Sequence, residues 1–231
     1  SVAVRFPSDR IAQELIKAAG GYVAAPSANT SGRPSPTTAQ HVEEDLGEAI
    51  EMIIDGGQVG IGLESTIVDF TEDVPVVLRP GYISLEMLQE TLGDVRMDKG
   101  LIAADSKVRP KAPGMKYKHY APDADLKIVE GDEAKVVEYI NDNVNRLISQ
   151  GYKVAVMTTE EGKHNYNKGI IVSMGHKDDE LSAARHLYAV LREFDNENVD
   201  YVFSESFETD NVGRAVMNRL IKAAGHTIIN V

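Results

Sequence analysis

Apolar positions recur along this chain with two different rhythms, and the change between them divides it. In the first stretch the apolar segments are short. Residues 1–6 alternate as a strand does, with Val2, Val4 and Phe6 on one side. Ile11, Leu15 and Ala19 then share one face of a helix that opens at Pro7-Ser8 and stops at Gly20-Gly21. Residues 22–25 read as a buried strand. Thr37-Thr38-Ala39-Gln40 reads as a capping box that opens a second helix through Leu46. The β-branched runs at 52–54, 65–70 and 76–78 read as short strands, and 84–92 as a helix ended by Gly93.

Residues 98–125 carry no period. They hold Lys99, Lys107, Arg109, Lys111, Lys116 and Lys118 with prolines at 110, 113 and 122, the pattern of a linker or a functional loop. Beyond them, strands at 126–129, 154–157, 170–172, 201–203 and 227–229 alternate with helices at about 133–150, 180–193 and 211–224. That alternation predicts a parallel, doubly wound sheet. The expected division is 1–97, a linker or lid at 98–125, and 126–231.

Composition narrows the chemistry. The chain of 231 residues has no cysteine, which excludes disulfides, thiolate metal sites and a cysteine nucleophile. No apolar run approaches a membrane span and the N-terminus carries no signal-peptide pattern, so the expectation is a cytoplasmic protein with no membrane partner. A net charge of −12 argues against tight direct nucleic-acid binding, which relies on neutralising phosphates.

Candidate chemistry concentrates in Ala25-Pro-Ser-Ala-Asn-Thr-Ser-Gly-Arg-Pro-Ser-Pro-Thr37. Small hydroxyls, an amide and backbone N–H groups at a strand end suit a phosphate or carboxylate. The spacing is not that of a P-loop. Asn29 is expected to brace the loop through its own backbone. Further on come Gly62-Leu-Glu-Ser-Thr-Ile-Val-Asp69, Leu78-Arg-Pro-Gly81 and Ala112-Pro-Gly-Met-Lys-Tyr-Lys-His-Tyr-Ala-Pro122. In this order the four segments resemble the threonylcarbamoyl-AMP synthase family (YrdC/YwlC-like) in its longer two-domain form, over essentially the whole chain.

The resemblance implies an α/β fold: a partial YrdC-like twisted mixed sheet with helices, then a smaller Rossmann-like parallel α/β domain. It implies synthesis of L-threonylcarbamoyladenylate from L-threonine, bicarbonate and ATP with release of pyrophosphate. ATP is then a substrate, magnesium is expected with it, and the product passes to a downstream tRNA threonylcarbamoyl transferase that makes t6A. Such chemistry depends on positioning and electrostatics, so no side chain is assigned as nucleophile or base. Matched residue by residue, Arg5, Ala25 and Ser65 fall at L-threonine positions. Ser1, Ser27, Ser35 and Arg79 fall at ATP positions, and Tyr117 or His119 in the Lys116–Tyr120 lid reach the nucleotide. On the residues alone, Arg5 is more simply a solvated strand-end arginine. Glu64 is more simply an exposed carboxylate than a group that positions magnesium. Thr66 is expected to be structural, and the histidines outside the lid to be surface or partly buried residues without metal-ligand spacing. Gly213, near a helix N-terminus, suits an anion and packing equally.

The family's catalytic domain begins upstream of the position matching Ser1 and there contributes a basic Lys-x-Arg-type motif. Residues 1–97 are therefore expected to hold part of a site, with unpaired edges and exposed apolar surface, and this polypeptide alone to be weakly active or inactive. Three other readings remain. A hydrogenase-maturation carbamoyltransferase is disfavoured by the absence of cysteine. A nucleotide- or RNA-binding regulatory module of the same fold is disfavoured by the charge. A plain nucleotide-binding α/β protein would bind ATP without coupling to threonine.

Overall fold

The computed structural model describes residues 2–98, 101, 120–207 and 211–231, without the side chains of Glu180 and Asn211. The C-terminal half is built around a five-stranded sheet in the order β6-β5-β7-β4-β8. Its strands are β4 (Asp125–Glu130), β5 (Val154–Thr158), β6 (Ile170–Ser173), β7 (Tyr201–Glu205) and β8 (Ile228–Asn230), and every pair is parallel. The crossovers run through α4 (Glu133–Ser149), a short 3-10 turn (Gly162–Asn165), α5 (Glu180–Asn196) and α6 (Asn211–Ala223).

Helices on both faces leave the central strands no solvated side, which is why β5 is buried along its whole length. The two faces separate cleanly. Val136, Ile140, Val144 and Leu147 of α4 pack with Val129, Val154, Val156 and Phe203. Leu187, Leu191, Val216 and Leu220 of α5 and α6 pack with Leu126, Ile128, Ala155 and Met157. Ile128 and Val129, adjacent in sequence, thus serve opposite cores. The sheet and the intervening helices match the sequence pattern within a few residues at each end. Among the described residues no helix is long and apolar enough to cross a membrane.

The N-terminal part is sparser. Helix α1 (Arg10–Ala18) is capped by Asp9, whose side chain accepts from the Ala12 amide, and α2 (Ala39–Leu46) by Thr38, which accepts from His41. Strand β1 (Ile67–Asp69) runs antiparallel to β2 (Val76–Arg79), which pairs in parallel with β3 (Arg96–Met97) to complete a mixed sheet. Helix α3 (Leu85–Leu92) starts at the Ser84 cap and ends at Gly93 with φ 82°, a conformation in which a Cβ is strained.

The strands expected at 1–6, 22–25 and 52–54 do not form among the described residues, because nothing there supplies a ladder for them. Val2, Val4, Phe6, Tyr22 and Met52 are exposed, Phe6 at 92%. Helix α1 likewise buries no residue, although its apolar face is well defined. Period alone specifies which side chains share a face; a partner has to make that face a core.

Candidate functional site

The turn Gly62-Leu63-Glu64-Ser65-Thr66 is wedged between the two halves. Gly62 has φ 83° and its Cα lies against the backbone of Ala184 and Arg185 on α5, where any side chain would collide. Gly81 faces the backbone of Glu64, Ser65 and Thr66 as closely, so both glycines are required by approach, and Gly62 by its positive φ as well. Thr66 donates its hydroxyl to the Ile83 carbonyl at 2.6 Å, the structural role expected of it.

Glu64 corrects the expectation of an exposed carboxylate. The Ser35 hydroxyl donates to its Oε1 at 2.6 Å, and the Tyr188 hydroxyl sits 2.9 Å from both oxygens. Arg219 Nε donates to Oε2 at 3.0 Å, while its Nη2 donates to the Glu64 carbonyl at 3.1 Å and its Nη1 to the Pro80 carbonyl. Burial alone would raise the Glu64 pKa; the Arg219 charge, the Ser35 hydrogen bond, the Glu64 amide and Arg79 outweigh it and hold it below the usual value. The carboxylate is therefore ionised at neutral pH, with donors on both oxygens.

Arg79, delivered by β2, donates from Nε and Nη2 to the Ser65 carbonyl at 3.1 and 3.0 Å. This holds the guanidinium in one plane, and Tyr120 and Tyr188 lie close enough to affect it. Tyr120 is buried, tilted against Tyr188 with ring centroids 5.2 Å apart, and has φ 65°, an unusual backbone for a bulky residue. It is the last residue of the Lys116–Tyr120 segment, and the described part of that segment therefore reaches the cluster.

Lys222 on α6 is buried as well, bonded to Asn218 at 2.9 Å. Desolvation first, then Arg219 and Arg79, bring its pKa down to about 8. Among the described residues, Arg79, Arg219 and Lys222 set three cations against one carboxylate, Glu64, and the excess of positive charge suits an anion.

A second tie lies beside the Ser-rich loop. Arg192 on α5 grips Asp45 through both oxygens at 3.0 and 2.7 Å and donates to the Pro34 carbonyl at 2.6 Å. Arg33 Nη1 donates to Asp45 at 2.8 Å, and the Thr30 amide donates to the same carboxylate at 3.2 Å. Arg192's hydrogen bond is the main reason that the Asp45 carboxyl is held low. Asn29 bonds the Thr30 and Arg33 carbonyls at 2.9 and 3.3 Å, bracing the loop as expected.

The structure thus gathers Ser35, Ser65 and Arg79 around Glu64. It leaves Arg5, Ala25 and Ser27 exposed, with no hydrogen bond or ion pair to the cluster among the described residues. Ser1, Tyr117 and His119 lie outside the described residues. The depression lined by Ala39, Gln40, Glu43, Gly47, Ile50 and Met52 holds none of these groups. Among the described residues no three His, Asp or Glu side chains gather as metal ligands. Among the described residues the cluster's carboxylate, Glu64, has both oxygens occupied by donors, so these residues do not fit a magnesium ligand set.

Sequence reasoning missed Tyr120, Tyr188, Arg192, Arg219 and Lys222. A signal existed for two of them. Arg192 sits in the apolar stripe with Ala184, Leu187, Tyr188 and Leu191, and Arg219 in that of Val212, Ala215, Val216 and Leu220. A charge within such a stripe calls for a buried partner.

Residues 83–225 match the family model "Threonylcarbamoyl-AMP synthase, C-terminal domain", and residues 1–81 match the model described as "Telomere recombination". The chain is 44% identical to threonylcarbamoyl-AMP synthase of Bacillus subtilis across 99% of its own length and 64% of that protein. It is also 44% identical to the Pyrococcus abyssi enzyme of that name, across 100% of its own length and 66% of the relative. It superimposes on the crystal structure of P. abyssi Sua5 complexed with L-threonine at a TM-score of 0.88 and 42% identity, covering 100% of this chain and 66% of that one. The chain thus spans slightly less than two thirds of the length of these relatives.

Proposed function

The chain belongs to the threonylcarbamoyl-AMP synthase family, and from that premise we propose that the protein makes L-threonylcarbamoyladenylate from L-threonine, bicarbonate and ATP. The threonine amine condenses with bicarbonate to a carbamate, losing water. A carbamate oxygen then attacks the α-phosphorus, and pyrophosphate leaves. The product goes to the enzyme that transfers threonylcarbamoyl to tRNA. Division into 1–97, 98–125 and 126–231 is part of this reading, as are L-threonine contacts by Arg5, Ala25 and Ser65. ATP contacts are assigned to Ser1, Ser27, Ser35, Arg79, Tyr117 and His119.

The observation that carries the reading is the anchoring of Arg79. Its Nε and Nη2 are committed to the Ser65 carbonyl, so a guanidinium is held in place beside two of the proposed substrate residues, in a cluster with excess positive charge. A fixed cation offsets charge growing on phosphate oxygens without reorganising during the step. The L-threonine in the P. abyssi structure supports the substrate assignment.

The test is pyrophosphate release from ATP by the longest natural form of the protein. Release should require both threonine and bicarbonate, and Arg79→Lys should slow it on the order of a hundredfold, since a lysine keeps the charge and loses the fork. ATP binding or hydrolysis indifferent to threonine would defeat the reading in favour of a nucleotide-binding module.

A further inference from the structure

We propose that Glu64 is a positioning residue for the nucleotide, through which α5 and α6 of the C-terminal half set the ligand-facing polarity of Ser35. The proposal rests on the function above and adds how its site is held. The carboxylate receives Ser35 from the N-terminal half, and Tyr188 and Arg219 from the C-terminal half. Both helical partners are buried in the core. With Arg219 and Tyr188 holding it from behind, the ionised carboxylate presents Oε1 to Ser35 as an acceptor only.

A serine hydroxyl has one proton. In this structure that proton is committed to Glu64 at 2.6 Å, so what Ser35 offers outward is a lone pair. A lone pair recognises a donor, such as a ribose hydroxyl or the adenine amine, and repels a phosphate oxygen. Ser35 therefore reads the nucleoside and leaves the triphosphate to the cations. The C-terminal helices contribute no reacting atom here; they determine which way a hydroxyl points.

Three single variants and one double variant of the longest natural form test this, by steady-state kinetics and thermal melting. Tyr188→Phe removes one oxygen from a buried ring and should raise KM for ATP on the order of tenfold, with a smaller change in kcat. Ser35→Ala should do the same, and Ser35→Ala/Tyr188→Phe should be no worse than Ser35→Ala, because Tyr188 acts through Ser35. Glu64→Gln, of the same shape, carries the same expectation for KM if Tyr188→Phe does not fold. Inorganic triphosphate, which has no nucleoside, should inhibit the unsubstituted protein and Ser35→Ala equally.

Tyr166→Phe is the structural control, since Tyr166 makes a like bond to the Glu205 carboxylate at 2.6 Å within the core under α4. It should lower the melting temperature and leave KM for ATP unchanged. The proposal is overturned if Tyr188→Phe behaves as Tyr166→Phe does, if the double variant's losses multiply, or if Ser35→Ala weakens triphosphate inhibition. Absence of pyrophosphate release from the unsubstituted protein would defeat the functional reading instead. The same variants are then compared by calorimetric ATP affinity, where equal binding by Tyr188→Phe overturns this proposal independently.

Discussion

The two halves of the molecule use similar sequence signals to opposite ends. In the C-terminal half, strands with apolar runs and helices with apolar stripes close on each other, and Ile128, Val129, Met157 and Leu220 are fully or almost fully buried. In the N-terminal half, an equally regular stripe on α1 stays open, with Ile11 and Leu15 about half exposed, and the alternation at residues 2–6 forms no strand. Apart from Leu63, which packs on the C-terminal core, what orders the N-terminal half next to the other is polar: Glu64 on Arg219, Asp45 on Arg192, and the Gly60 carbonyl on Arg185 at 2.6 Å. Hydrophobic burial is non-directional and builds a core from any fitting faces. Buried ion pairs are directional, and they hold the loops that carry Ser35 and Ser65 in one geometry.

That contrast can be broken most forcefully at Arg219. Arg219→Ala removes the ion-pair partner of the largely buried Glu64 carboxylate and should cost about 3–5 kcal/mol, read from the urea midpoint. A loss near zero would mean that the ion pair does not join the halves. Ile140→Ala, fully buried under α4, should cost about 2–5 kcal/mol and leave ligand affinity untouched, since it damages only the closed core.

Lys222 sharpens the comparison through pH. Its folded pKa of about 8 lies below the ordinary 10.5, so the unfolded chain binds more protons between those values. Stability should therefore rise with pH across that window, and Lys222→Met should flatten the rise while raising the melting temperature at pH 7. An unchanged slope would show that the amine is solvated. The smallest effect is expected at Phe6: Phe6→Ser should change stability by less than about 0.5 kcal/mol, because the ring is exposed. A larger loss, by the same denaturation measurement, would show that the face is covered in solution.

Legibility followed the same line. The parallel sheet, its helices and the Ser84 and Gly93 boundaries of α3 could be read from period and punctuation, because those signals are local. Motifs in the sequence carry Ser35, Ser65 and Arg79, and the structure brings these three together around Glu64. Arg192 and Arg219 were visible only as charges out of place in apolar stripes, with no sign of what they would meet. Glu64 was read the wrong way, since a carboxylate at a strand end looks solvated until a helix from far along the chain covers it.

The sequence by itself determined the helices, the strands of the C-terminal half and the α/β class, since propensity, capping and alternation act within a few residues. Only the tertiary structure decided which apolar faces became core, which strands found ladders, and that one carboxylate gathers donors from positions 35, 188 and 219. Those choices depend on which surfaces meet in space, and a buried charge acquires its meaning only from the partner brought to it.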